Sequence, residues 1–175
     1  IKSKPPGRKE VVTSLINKNK IETLIEGIER KLLKNEQVFW ILPTIGTLDS
    51  EEQTLTTRYE YLKKRFKNKV GFIHGKMNKE DAEKVIKQFK ERKIMILVST
   101  TVIEVGINIP NATLMIIENV EKFGLAQIHQ LRGRVTRGNL HANCVLIYNQ
   151  NLSELTKKRL LILKNSSDGF EIAEK

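Results

Sequence analysis

Residues 130–138 are the stretch of this sequence whose side chains could act most directly in chemistry. Three arginines and one glutamine stand within eight residues of one another: Gln130, Arg132, Arg134 and Arg137. Guanidinium groups this close together repel each other, and each is a planar, permanently charged fork that pairs with phosphate oxygens. The cluster therefore predicts a site for a nucleotide or another polyanion, with a solvated basic helix end as the alternative.

Length and net charge narrow the class of protein. The 175 residues carry 31 Lys and Arg against 20 Asp and Glu, which gives a formal net charge of +11. A surplus of this size indicates nucleic acid, an anionic membrane or an acidic protein as partner. The 39% hydrophobic content fits one domain with a packed core. No apolar run approaches the length of a membrane span, and the N-terminus has no signal-peptide pattern, so no membrane contact is predicted.

The cysteine and the histidines point away from a metal site. Cys144 stands in an apolar run and is interpreted as a core residue of a strand in a reducing compartment, the cytoplasm, and not as a nucleophile. His74, His129 and His141 lack the spacing of metal ligands, so no metal is predicted to bind this chain's own side chains.

Short apolar strands alternate with amphipathic helices along the chain. Strands are predicted at 11–16, 38–42, 70–73, 94–98, 113–118 and 142–148, and helices at 21–32, 55–66, 78–89, 124–134 and 152–165. Strands rich in Val, Ile and Leu without polar alternation favour a parallel sheet that helices cover on both faces. Ligands bind such α/β sheets beyond the carboxyl ends of the strands, so the loops that follow the strands are expected to form one working edge.

Domain boundaries follow from composition. Residues 1–10, with Pro5-Pro6-Gly7, are predicted to be a linker from a preceding domain, residues 11–167 one α/β domain, and residues 168–175 the start of a truncated extension.

A nucleotide hydrolase needs a phosphate-binding loop, and the best candidate here fails. Between Gly71 and Gly75 there are three residues in place of four, and Met77 replaces the Ser or Thr that would hold magnesium. Three acids in a predicted polar loop, Asp49, Glu51 and Glu52, form no paired-acid motif. The chain alone is therefore not expected to hydrolyse ATP, but its arginines could reach phosphates that a different domain holds.

Two segments resemble motifs V and VI of superfamily 2 helicases, residues 99–110 and 124–135. The amino-acid sequence at 5–9, 116–119 and 167–170 is similar to that of the RecG family of ATP-dependent DNA helicases. This resemblance spans nearly the whole chain. It implies the second of two RecA-like motor domains, an α/β three-layer sandwich without a P-loop. The first motor domain, which would bind ATP with Mg²⁺, and a junction-splitting wedge domain would be its partners within the same protein.

The resemblance also implies roles at the nucleotide. Arg134 and Arg137 match the arginine fingers that reach the γ-phosphate of ATP, and Gln130 would lie near the same phosphates. Three motif V positions complete the predicted nucleotide set: Glu104, Gly106 and Asn108. Glu104 could orient an arginine or begin a helix, and Asn108 replaces the family's usual aspartate. Thr136 stands where the family usually has glycine.

For DNA, the resemblance implies contacts with the phosphate backbone that do not depend on base sequence. The matching positions are Thr44, His74, Gly75, Lys76, Thr100 and Thr101. His74 could equally be a hydrogen-bonding residue at a strand end. Arg132 is interpreted as structural or inter-domain, Trp40 as core, and the lysines at 63–69 as a solvated face or an extension of the DNA track.

The function implied is ATP-driven translocation on DNA in repair and recombination, including branch migration of Holliday junctions and regression of stalled forks. Three alternatives stay open. The chain could be the motor domain of a transcription-repair coupling factor, an RNA helicase domain, or a nucleic-acid-binding module without catalysis.

Overall fold

The computed structural model describes residues 11–43, 48–74, 77–100, 112–133, 142–148 and 153–165. The strands are β1 (Val11–Asn17), β2 (Gln37–Leu42), β3 (Val70–Ile73), β4 (Ile96–Thr100), β5 (Ala112–Ile117) and β6 (Ala142–Tyr148). The helices are α1 (Ile21–Leu33), α2 (Leu48–Phe66), α3 (Lys79–Lys90), α4 (Leu125–Gly133) and α5 (Glu154–Asn165), with short 3₁₀ turns at 18–20, 67–69 and 120–122.

The six strands form one sheet in the order β1-β6-β5-β2-β4-β3, and every neighbouring pair is parallel. This confirms the α/β fold class and the parallel sheet that the apolar strands predicted. All strands point the same way, so their last residues lie along one border of the sheet, which we call the carboxyl edge. The opposite border is the amino edge.

Helices pack on both faces of the sheet because successive strand residues point to opposite sides. On β2, Val38, Trp40 and Leu42 pack with the apolar residues of α1 and α2 on what we call the α2 face. Phe39 and Ile41 pack on the α4 face, where α3, α4 and α5 contribute Phe89, Ile128 and Leu160. Trp40 is 0% exposed, which confirms it as a core residue.

Gly71 has a packing role inside β3. A Cβ atom at this position would lie 2.5 Å from Cδ1 of Ile94, so only glycine leaves room for the isoleucine. The first glycine of the failed P-loop therefore stands within a strand, where it accommodates a neighbouring side chain.

Two predicted elements differ most from the structure in their boundaries. The fourth strand was predicted at 94–98 but β4 covers Ile96–Thr100, because Ile94 and Met95 are buried before the strand begins. The second helix was predicted from residue 55, yet α2 begins at Leu48. Asp49, Glu51 and Glu52, interpreted as loop acids, belong to its first turns.

Candidate functional site

Three of the predicted site residues fall within the described part of the chain: His74, Thr100 and Gln130. The others lie outside the described residues, and their assigned roles stay predictions: Thr44, Gly75, Lys76, Thr101, Glu104, Gly106, Asn108, Arg134 and Arg137.

His74 and Thr100 leave neighbouring strands at the carboxyl edge. Ile73 lies opposite Ser99 in the β3–β4 pairing, and His74 and Thr100 are the next residues on each side. The half-buried imidazole of His74 stacks on Phe72, with ring centroids 5.7 Å apart and planes 9° apart. The His74 carbonyl accepts a hydrogen bond from the Met77 amide at 3.1 Å. The strand end therefore fixes this histidine through both its ring and its backbone.

Thr100 is the last residue of β4 and is only 1% exposed. Its hydroxyl has no hydrogen-bond partner within the described chain, while its carbonyl accepts a bond from Ser99 Oγ at 3.0 Å. The prediction that Thr100 contacts DNA consequently continues to depend on the family resemblance.

Helix α4 presents different side chains to solvent and to the core. Its first turn is capped where the Gly124 amide donates to Gln127 Oε1 at 3.0 Å. Ile128 is buried on the α4 face, and Gln130 is exposed. The helix ends at Gly133, so it delivers the chain to Arg134 from a helix end that is anchored in the core.

Arg132 points inward from α4 and is only 4% exposed. Burial raises the pKa of the Cys144 thiol to about 12, and the positive charge of Arg132 acts against that rise. Arg132 is thus an internal residue, in line with its structural interpretation, and Cys144 is an inert core thiol.

A charged network at the carboxyl edge was not predicted from the sequence. Glu118, the residue after β5, is 3% exposed, and its carboxylate accepts hydrogen bonds from three donors. Trp40 Nε1 donates to Oε1 at 2.8 Å, Arg58 Nε donates to Oε1 at 2.8 Å, and Arg58 Nη2 donates to Oε2 at 2.7 Å. We call these three residues the Glu118 network. In the sequence, Glu118 could be noticed as a single carboxylate at the end of an apolar strand, but no local pattern identified Trp40 and Arg58 as its partners.

The surroundings of the network combine aromatic and polar groups. The Arg58 guanidinium lies over the rings of Trp40 at 5.2 Å and Tyr61 at 5.0 Å. Lys18 Nζ is 4.0 Å from Glu118 Oε2. An open depression of about 350 Å³ lies beside the network, lined by Lys18, Gln53, Thr54, Thr57, Arg58, Tyr61, Glu118 and Asn119.

The lysine-rich segment 63–69 lies away from these residues. It ends α2 and leads into the first residue of β3, so it stands at the amino edge. Its Lys63, Lys64, Lys67 and Lys69 side chains are exposed. These lysines therefore lie at the border opposite to the one where His74 and Thr100 stand.

The described residues contain neither a membrane-spanning helix nor a cluster of metal ligands. None of their helices has the length and apolarity needed to cross a membrane. No group of three or more His, Cys, Asp and Glu side chains among them is arranged to hold a metal ion.

Comparison with known proteins gives a consistent family. Residues 19–139 match the helicase conserved C-terminal domain. The chain is 40% identical over 176 residues to the ATP-dependent DNA helicase RecG of Treponema pallidum, covering 99% of this chain and 26% of the relative. It is 41% identical over 174 residues to RecG of Escherichia coli strain K12, covering 98% of this chain and 25% of the relative.

A solved structure of RecG bound to a three-way DNA junction has the same fold, with 42% sequence identity and a TM-score of 0.83. The match covers 98% of this chain and 22% of that one. The chain therefore spans about a quarter of the length of its curated relatives. From its sequence, its parallel sheet and these matches, the chain belongs to the helicase conserved C-terminal domain family and resembles that region of RecG helicases.

Proposed function

We propose that this chain is the second motor domain of an ATP-dependent DNA helicase of the RecG type. The observation that carries the proposal is the match to RecG along 98% of the chain, at 42% identity and a TM-score of 0.83. In this proposal residues 1–10 are the linker from the first motor domain, residues 11–167 the motor domain, and residues 168–175 the start of the next segment. The whole protein would work on DNA in the cytoplasm.

The nucleotide would be shared between two domains. The charge of residues 130–138 is positive, and guanidinium groups suit the phosphates of a nucleotide. ATP and its Mg²⁺ would then be held by the first motor domain. Arg134 and Arg137 would approach the γ-phosphate, with Gln130, Glu104, Gly106 and Asn108 beside them.

Arginine at this position supplies charge where the transferred phosphoryl group becomes most negative. Because α4 is anchored in the core through Ile128 and Arg132, the fingers would move with the whole domain. Binding of ATP would therefore draw the two motor domains together, and hydrolysis would release them.

DNA would be gripped through its phosphates at the carboxyl edge. His74 and Thr100 leave adjacent strands there, and Thr44, Gly75, Lys76 and Thr101 follow strands that end at the same border. Alternate gripping by two motor domains would move duplex DNA in steps. With a wedge domain, translocation would produce branch migration and fork regression.

The finger assignment is tested by Arg134→Ala in the complete helicase that contains this chain. We expect ATP turnover to fall by about 10³–10⁵, because a finger contributes that much to phosphoryl transfer. Arg30→Ala, which removes an exposed arginine near the end of α1, is the matched control and should leave turnover unchanged.

Unchanged turnover in Arg134→Ala would defeat the assignment. DNA affinity measured on the same variant separates the alternatives. A nucleic-acid-binding module would lose affinity without any ATP-dependent activity, whereas a motor domain keeps most of its affinity and loses turnover.

A further inference from the structure

The Glu118 network joins two segments that the proposed function assigns to different ligands. Arg58 belongs to α2, which begins at Leu48 directly after the segment that contains Thr44. Glu118 begins the connection from β5 to α4, the helix that carries Gln130 and leads to Arg134. A bond between Arg58 and Glu118 is therefore a bond between the DNA-side helix and the connection to the nucleotide-side helix.

The connection from β5 to α4 crosses the sheet from one face to the other. It starts on the α2 face, where the carboxylate of Glu118 meets Trp40 and Arg58, and ends on the α4 face, where Ile128 is buried. At its start, the Glu118 amide donates to the Ile41 carbonyl at 2.9 Å, and Asn119 takes a left-handed conformation with φ 53°. The path toward α4 is thus fixed at its first two residues.

A buried ion pair is a poor way to gain stability, since apolar side chains of the same volume often serve as well. What a guanidinium fork adds is direction. Two parallel hydrogen bonds to one carboxylate, at 2.8 and 2.7 Å, fix the angle between the groups that carry them. The Trp40 and Tyr61 rings, whose centroids lie 5.2 and 5.0 Å from the guanidinium, further restrict where Arg58 can move.

We propose that Arg58 and Glu118 are positioning residues that couple the DNA-side helix α2 to the arginine-bearing helix α4. The inference rests on the proposed function. A shift of α2 when DNA binds would be transmitted through the fork to the start of the β5–α4 connection, and so to the position of Arg134. The pair touches neither ligand in this scheme and acts through orientation alone.

The test compares variants of the complete helicase in ATP turnover with and without DNA. Arg58→Met combined with Glu118→Gln removes both charges and leaves no unpaired ion, so folding is spared relative to either single loss. We expect the ratio of DNA-stimulated to DNA-independent turnover to fall about fivefold, within the range by which coupling residues act. The combination Arg65→Met with Glu29→Gln is the matched control, since it breaks the other arginine fork of α2, and its ratio should stay at the wild-type value.

Arg58→Lys keeps the positive charge but cannot form two parallel hydrogen bonds to the carboxylate, so it tests the role of orientation directly. We expect it to show the same reduced ratio as the double variant. A wild-type ratio in Arg58→Lys or in the double variant would overturn the proposal, as would a fall of both turnovers in the same proportion, which a purely structural role predicts. Arg134→Ala, assayed in parallel, separates failure of the proposed function from failure of the coupling inference. Undiminished turnover there refutes the proposed function, whereas a large loss there with wild-type coupling in the Arg58 variants refutes only this inference.

Discussion

Helix α2 makes two arginine–carboxylate forks, and they differ mainly in burial. Arg58 binds Glu118 at 2.8 and 2.7 Å, with side chains 13% and 4% exposed. Two turns later, Arg65 binds Glu29 of α1 at 3.1 and 2.6 Å, with side chains 45% and 44% exposed. The residue types and the helix are the same. The first fork lies at the carboxyl edge and the second near the amino edge.

Environment decides what each fork contributes. At the exposed fork, water solvates either partner after the other is removed, so little is lost. At the buried fork, removal of Arg58 takes two of the three hydrogen bonds from a Glu118 carboxylate that is only 4% exposed. The contrast teaches that ion pairs of equal geometry are not equal contacts, and each of the following changes tests it.

Arg58→Met should have the largest effect. The free energy of unfolding of this chain should fall by about 3–5 kcal/mol, because a buried carboxylate loses its charged partner. Urea unfolding followed by circular dichroism measures it. Adding Glu118→Gln should recover a large part of the loss by removing the stranded charge. A double variant as unstable as Arg58→Met alone would show that the loss comes from packing and not from the unpaired ion.

Trp40→Phe removes one of the three donors to Glu118 but leaves the fork. We expect a loss of about 2 kcal/mol, from one hydrogen bond to a charged acceptor and a modest unfilled volume. Urea unfolding of the variant checks the value. If Trp40→Phe cost more than Arg58→Met, the indole and not the fork would be the main support of Glu118.

Glu36 offers a case of intermediate burial. It accepts a hydrogen bond from Lys31 at 3.2 Å and another from the Thr113 hydroxyl, and the Lys31 and Glu36 side chains are 22% and 15% exposed. Burial acts to raise the pKa of Glu36, but the hydrogen bonds from Thr113 and Lys31, together with the positive charges of Lys31 and Lys34, outweigh it, so the pKa lies below its ordinary value of 4.5. Its contribution is therefore present above pH 4.5 and is lost as the pH falls through the lowered pKa.

Glu36→Gln should lower stability by about 1 kcal/mol at neutral pH and flatten the decline in acid. Unfolding free energies measured from pH 7 down to about pH 3 test both effects, since this range covers the ordinary carboxyl titration. A decline below pH 4.5 as steep as in the wild type would mean that other carboxylates dominate.

Arg65→Met should have the smallest effect, with a melting temperature within the error of the measurement at neutral pH. The hydrogen bond from Arg65 lowers the pKa of Glu29, so whatever the fork contributes is lost as the pH falls through that value. High salt should reduce it further. A loss comparable to that of Arg58→Met would remove the distinction between the two forks.

The sequence predicted the elements well and the contacts between them poorly. The six strands and five α-helices of the described residues were all predicted, because apolar runs and helical spacing are local signals. A strand boundary was predicted wrongly where buried residues lie outside the strand, since Ile94 and Met95 are buried but precede β4. The start of α2 was missed because its first turns are acidic and carry no apolar repeat.

The candidate site likewise contains residues that local sequence patterns reveal and residues that only the fold brings together. Gln130 and the arginines after it stand out because their spacing is local and the motif is long. Glu118 and Arg58 are 60 positions apart, and each has an ordinary local context, a strand end and an amphipathic helix. Only the fold brings them together, so no reading of spacing could have paired them.

The strand order has a consequence for how the domain forms. β1 pairs with β6, with Val11 opposite Ala142, so the first strand gains its only described neighbour when nearly the whole domain is available. The β2-β4-β3 half of the sheet depends on much closer segments and can assemble earlier. Until β6 arrives, β1 and β5 each present an unpaired apolar border, which is the kind of surface on which nascent chains aggregate. Purified chains that end just before Ala142 and just after Tyr148 should therefore differ sharply in protease resistance.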